Sequence, residues 1–265
     1  MKKSFSILLT AALISTFALS ASATFDRTYT APYGTPTVDG EAEELWDYAE
    51  WTDVDKPFDG TADTDSTLRV KLLWDEDNLY FLAEVYDTDL NATEDIVEIY
   101  LDEGGEFASG YDANDSQNRF MVSDGKTPAN PGTQAKAASD VNAVVTDLGG
   151  DNYLMEGSIA WGEADATEGS VIGLEFMYND GTADNAFVEA YRWNVDTANG
   201  DAAPYQSTEA FGELTLGAAP VSEVPEETTD TADDTATAPA TFDLGLTAAA
   251  AAILSAAGVV VFKKK

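Results

Sequence analysis

Carboxylates dominate the chemistry this chain can offer. Its 265 residues include 49 Asp and Glu against 13 Lys and Arg, with no histidine and no cysteine. Without thiol or imidazole there is no disulfide, Cys/His zinc site, histidine-ligated haem, Ser-His-Asp triad or thiolate nucleophile. Carboxylates, amides, hydroxyls, aromatic rings and a few cations remain. Glycoside hydrolysis needs two carboxylates at a set separation, one with a raised pKa. Acids are so frequent here that close pairs single out no catalytic couple, and no enzymatic activity is expected. A formal net charge of −36 repels phosphate backbones and anionic lipid, which argues against nucleic acid and leaves neutral ligands and divalent cations.

Two acidic loops space oxygen atoms at alternate positions, as calcium loops do. These are Asp87-Thr88-Asp89 and Asp112-Ala113-Asn114-Asp115-Ser116. The second imitates the first half of an EF-hand loop, but Gln117 stands where glycine is needed and Ser123 where the bidentate glutamate belongs. Asp87, Asp89, Asp112 and Asn114 are the candidate calcium ligands, with a solvated acidic loop as the alternative at each place. Sugar binding needs exposed aromatic faces and planar polar groups on a rigid support. Tyr205, in the loop Asn199-Gly200-Asp201-Ala202-Ala203-Pro204-Tyr205, is a stacking candidate or a lid on the core. Trp193 ends a strand and fits either a binding or a core role. Glu98, between Val97 and Ile99, points to the face opposite those two, and Arg119 is one of few cations, offered to sugar hydroxyls or held in a salt bridge. Trp46, Trp74 and Trp161 lie in or beside apolar patterns and are assigned to the core.

The elements that position these residues read as all-β. Leu68, Val70 and Leu72 alternate with Arg69 and Lys71, Asp75-Glu76-Asp77-Asn78 forms a turn, and Leu79, Phe81, Ala83 and Val85 return. Further strands are expected at 96–101, 119–122, 141–146, 153–161, 171–178, 187–193 and 211–216, with one short helical turn at 42–46. About nine strands without long helices between them indicate an antiparallel β-sandwich of jelly-roll type over residues 24–216.

The ends read as targeting segments. Residues 1–23 carry Lys2 and Lys3, an apolar run and Ala21-Ser22-Ala23, the pattern of a cleaved secretory signal. Residues 217–243 are Pro-, Thr- and acid-rich and are expected to form an extended stalk. Residues 244–262 hold no charge and precede Lys263, Lys264 and Lys265; nineteen residues at about 1.5 Å each span roughly a bilayer core. Pro239-Ala240-Thr241-Phe242-Asp243 resembles the sorting signal of Gram-positive wall-anchored proteins. The expected location is therefore outside the cell, tethered to membrane or wall.

Four landmarks in order carry a family resemblance. The run Tyr33-Gly34-Thr35-Pro36-Thr37-Val38-Asp39-Gly40-Glu41 to Trp46, the hairpin Val70 to Tyr80, the strand Asp95-Ile96-Val97-Glu98-Ile99-Tyr100-Leu101-Asp102-Glu103 and the closing Phe211-Gly212-Glu213-Leu214-Thr215-Leu216 resemble the family 9 carbohydrate-binding modules attached to xylanases. The resemblance implies a jelly-roll sandwich, structural calcium, and capture of cello- or xylo-oligosaccharide ends between two tryptophans, with a glutamate and an arginine among the hydrogen-bonding groups. By position the glutamate is Glu98 and the arginine Arg119, while the tryptophans fall on Tyr205 and Ala92. Losing one aromatic plate removes about 1–3 kcal/mol of stacking and burial. The expected function is non-catalytic binding of plant polysaccharide or its fragments at the cell surface. The alternative is an envelope structural or interaction domain that keeps the fold without the site. Residues 24–216 hold 42 acids and 8 bases, so the charge belongs to the module rather than its stalk. Such density favours bound calcium, and it predicts preference for neutral glucans and xylans over uronate-rich chains.

Overall fold

The computed structural model describes residues 27–57, 66–90, 93–129, 134–162, 166–181 and 187–220. The expected signal peptide, anchor and basic end, all but the first four stalk residues, and Ala92 lie outside them. The chain divides into two units after Ser222, and every described residue belongs to the first.

Two sheets face each other as a β-sandwich, as the alternation predicts. In the first, β6 (Ile96–Asp102) lies between β7 (Asp115–Met121) and β10 (Val171–Gly181). The other edge of β10 pairs with β12 (Gly212–Leu216) along its first half and with β11 (Phe187–Arg192) along its second. Short β1 (Thr28–Ala31) joins β12, and β3 (Lys56–Pro57) joins β11. The second sheet runs β2 (Thr52–Val54), β4 (Ser66–Trp74), β5 (Asn78–Asp87), β9 (Asn152–Ala160), β8 (Val141–Asp147). All these pairs are antiparallel except β1 with β12. Sequence reasoning misses β1, β2 and β3 because each is four residues or fewer and takes its order from a neighbour. It starts β7 too late, because Ser116 and Asn118 are polar yet buried. Asn118 Nδ2 donates to Ser116 Oγ at 2.9 Å and to the Ile99 carbonyl at 3.3 Å, which gives both amide hydrogens partners inside the sheet.

Alternate side chains fill the space between the sheets. Val97, Ile99 and Leu101 of β6 and Leu174, Phe176 and Tyr178 of β10 meet Val70 and Leu72 of β4 and Phe81, Ala83 and Val85 of β5. Burying each large apolar side chain stabilises the fold by about 1.5–3 kcal/mol. Phe81 faces Gly157 across β5 and β9, where an added Cβ would lie 2.3 Å from the ring. The closing Phe-Gly pair is explained likewise: a Cβ on Gly212 would lie 2.3 Å from the Trp193 ring.

Outer faces are also covered. Residues 38–51, including a 3₁₀ turn at Glu44–Tyr48 in place of the turn expected at 42–46, lie over the second sheet. Trp46 there is 1% exposed and donates from Nε1 to Glu156 Oε1 at 2.8 Å, while the Asp39 and Gly40 amides donate to Oε2 at 3.0 and 2.9 Å. Trp46 and Trp74 are buried as expected, and Trp161 is half-buried against the core.

On the opposite outer face Glu175 of β10 is wholly buried. Its carboxylate accepts amide hydrogens from Trp193 at 2.6 Å, Asn194 at 2.9 Å and Val195 at 2.7 Å, which seats the chain leaving β11. Burial pushes its pKa up from 4.5 to about 7, although these amides and nearby Arg192 pull it back. A raised folded pKa contributes stability that is complete below about 4.5 and lost as pH rises through about 7. Unfolding free energy in chelator-treated protein is expected to fall by up to about 3 kcal/mol across that window. A carbon-13 titration of the Glu175 carboxyl checks the source: a midpoint below 5 overturns the assignment.

Candidate functional site

A cleft of about 350 Å³ opens on the outer face of the first sheet. Alternation on β6 puts Glu98 and Tyr100 on this face, β7 adds Gln117 and Arg119, β10 adds Met177 and Asn179, and β11 adds Arg192. Tyr205 and Glu94 complete its lining from loops.

Glu98 is the hub of the cleft. It is 1% exposed, and its Oε2 accepts from Tyr100 Oη and from Gln117 Nε2, both at 2.6 Å. Its Oε1 accepts from Arg119 Nε at 3.1 Å and from Asn179 Nδ2. The carboxylate thus fixes the planes of a guanidinium and two carboxamides. Arg192, 1% exposed, adds a second guanidinium; burial lowers its pKa to about 10, so it stays charged at neutral pH. Burial and the Glu98 charge hold the Tyr100 hydroxyl well above its usual value, so it remains a donor.

Tyr205 is 50% exposed at the rim, and its loop is clasped by another. Asp102 Oδ2 accepts the Phe107 amide at 2.7 Å, which curls residues 103–111 back over β6. From that loop the Ala108 carbonyl accepts the Thr208 amide at 3.1 Å, Ala108 N donates to Thr208 Oγ1 at 3.0 Å, and Tyr111 Oη donates to the Pro204 carbonyl. The Tyr111 ring meets Phe211 edge-on at 6.5 Å. Tyr111 thereby fixes the residue that precedes Tyr205.

Glu98, Arg119 and Tyr205 meet in one cleft; Trp193 does not, and this is a correction. It is fully buried between the sheets, 5.7 Å from Phe176, with Nε1 donating to Thr52 Oγ1 at 2.7 Å. One strand position on from Arg192, its side chain falls on the core face, so no ring surface is left for a ligand. The four acidic-loop residues also part company. Asp87 and Asp89 converge with Asp180, their carboxylate oxygens within 4.8 Å of one another. Asp112 and Asn114 instead form a local turn, with Asn114 N donating to Asp112 Oδ1 and Asp112 N to Asp115 Oδ2, both at 2.6 Å. Burial, with the charges of Asp102, Asp112 and Glu106 behind it, pushes Asp115 up to about 6.

Sequence reasoning misses Gln117, Asn179 and Arg192. Scarcity of cations pointed to Arg119 and applies equally to Arg192. Asn179 carries no such signal, because its approach to Glu98 joins residues 81 positions apart.

The arrangement suits a ligand rich in hydroxyls: planar donors fixed by a buried carboxylate, beside a half-exposed aromatic ring. Comparison with known proteins agrees. The chain is 33% identical over 193 residues to endo-1,4-beta-xylanase A of Thermotoga neapolitana, covering 71% of this chain and 17% of that protein. It is 27% identical over 197 residues to exoglucanase XynX of Acetivibrio thermocellus, covering 72% and 17%. The chain therefore spans about a sixth of the length of these relatives. Among solved structures, a family 9 carbohydrate-binding module from Caldicellulosiruptor kristjanssonii in complex with cellotriose aligns with TM-score 0.62 and 30% identity, covering 72% of this chain and 94% of that one. A module from the same organism in complex with glucose aligns with TM-score 0.62 and 28% identity, covering 75% and 100%. Residues 38–219 match the family described as carbohydrate family 9 binding domain-like, and the chain belongs to that family.

Proposed function

We propose that the protein is a non-catalytic sugar-capturing module that takes neutral cello- or xylo-oligosaccharides in the cleft between Glu98 and Tyr205. The observation that carries this reading is the fan of planar donors around buried Glu98. Arg119, Gln117 and Asn179 are held in place before any ligand arrives, so little ordering entropy is lost on binding. Tyr205 supplies the stacking face. Relatives with bound cellotriose and glucose support the ligand class. The sequence-level signal and anchor segments extend the proposal: the module is exported, tethered to membrane or wall, and holds polysaccharide near the cell.

Calcium is proposed at Asp87, Asp89 and Asp180. Two of these carboxylates are almost fully buried and already oriented, Asp87 Oδ2 by Tyr178 Oη and Asp180 Oδ2 by Ser66 Oγ, each at 2.7 Å. Three converging carboxylates repel one another, and a hard divalent cation with oxygen ligands relieves that repulsion while joining β5 to β10. Its role is structural.

Titration of the full chain with cellobiose and xylobiose tests the cleft. Binding is expected, weakened about ten- to hundredfold by Tyr205→Ala. Silence from the unaltered protein would instead favour an interaction domain of the envelope. Tyr111→Phe keeps the ring against Phe211 and removes the bond to Pro204, so affinity should fall about three- to tenfold with the melting temperature nearly unchanged. For the cation, adding calcium to chelator-treated protein should raise the melting temperature by several degrees, and Asp180→Asn should abolish most of that increment. Equal melting curves with and without calcium would remove the ion from the proposal.

A further inference from the structure

The strap at residues 38–51 covers only part of the outer face of the second sheet, over Leu73, Tyr80, Leu82 and Leu154. Among the described residues, a further part of that face is an open groove of about 390 Å³ lined by Asp53, Thr67, Arg69, Glu84, Tyr86 and Asn152, with Leu148 at its side. We infer that this groove is a second contact surface for neutral glycan chains, on the face opposite the cleft.

The argument rests on a recurrence of chemistry. In the cleft, Glu98 and Arg119 are direct cross-strand partners, flanked by the carboxamide of Asn179 and the ring of Tyr205. In the groove, Arg69 and Glu84 are direct cross-strand partners, and Glu84 Oε2 accepts from both Nε and Nη2 of Arg69. The next position on this face of the strands sets Tyr86 opposite Asn152, whose carboxamide is held by its own turn, Nδ2 donating to the Gly150 carbonyl at 2.7 Å, rather than by the ion pair. The Arg69 guanidinium is further fixed by stacking 4.4 Å from the centre of the Trp51 ring, so its plane is set before a ligand arrives. Exposure favours contact: Leu148 is 55% exposed, and the Arg69 and Glu84 side chains are 46% and 35% exposed.

Charge selects the occupant. Arg69 and Glu84 neutralise each other, Asp53 leaves the groove slightly negative, and the domain as a whole is strongly acidic, so anionic polymers are repelled. A tyrosine and an exposed leucine beside paired planar groups suit the apolar faces and hydroxyls of an uncharged sugar chain. With contact surfaces on opposite faces, one module would hold two chains at once and gain avidity on a polysaccharide network. The choice of ligand rests on the sugar-capturing reading of the cleft; the groove itself does not.

Affinity electrophoresis of the full chain through gels containing soluble xylan or hydroxyethylcellulose tests this. Leu148→Ser with Asn152→Ala changes two exposed positions outside the core, the second losing its bond to the Gly150 carbonyl, and with a melting temperature equal to that of the unaltered protein is expected to lower retardation about three- to tenfold. Tyr205→Ala should keep a residual retardation that is lost when those two substitutions are added. Retardation equal to that of the unaltered protein in the Leu148→Ser, Asn152→Ala variant overturns the second surface and leaves the cleft standing. Retardation insensitive to Tyr205→Ala but sensitive to the groove substitutions overturns the cleft and keeps the groove. No retardation of the unaltered protein overturns both.

Discussion

Glu175, Glu156 and Glu98 lie in three different parts of the sandwich, each at most 1% exposed, and each is surrounded by donors. A carboxylate removed from water is unstable unless its oxygens are given hydrogen bonds. Here the donors come from segments distant in sequence, so satisfying the acid also fastens a loop to a sheet. Glu156 ties down the strap through Asp39, Gly40 and Trp46, while Glu175 seats Trp193 to Val195. Asp102 curls the loop that clasps Tyr205. The apolar core holds the sheets together, but these acids decide where the surrounding chain runs.

The same requirement builds the cleft. A sugar site needs donors whose directions are set in advance, and free side chains on a sheet would lose rotamer entropy each time a ligand bound. Glu98 removes that cost by fixing Arg119, Gln117 and Asn179 through one buried carboxylate. The acidic composition is thus partly structural. Some of its negative charge is spent inside, on backbone amides, rather than displayed to a partner.

Much of the fold was legible beforehand because alternation and turn chemistry are local. The hairpin from Leu68 to Val85 follows from period-two apolar positions around Asp75 to Asn78, and β4 and β5 pair accordingly. Glu98 could be placed on the face opposite Val97 and Ile99 for the same reason. Tyr205 and Arg119 were reachable through a loop aromatic and a scarce cation. Trp193 was not: ending a strand leaves its face undecided, and Gly212 sets it by leaving room for the ring. Nor could spacing separate the two acidic loops, since the partner of Asp87 and Asp89 is Asp180, on a strand far along the chain.

The sequence by itself determined the class of the protein: an acid-rich β-sandwich without thiol or imidazole, its landmarks in the order of a sugar-binding family. Those properties depend on residue type and near neighbours. Only the tertiary structure decided which carboxylates are buried as fasteners, which converge on one another, and which aromatic ring faces the cleft. Burying a charge is tolerable only where donors from remote segments meet it, and that meeting exists only once the sheets have packed.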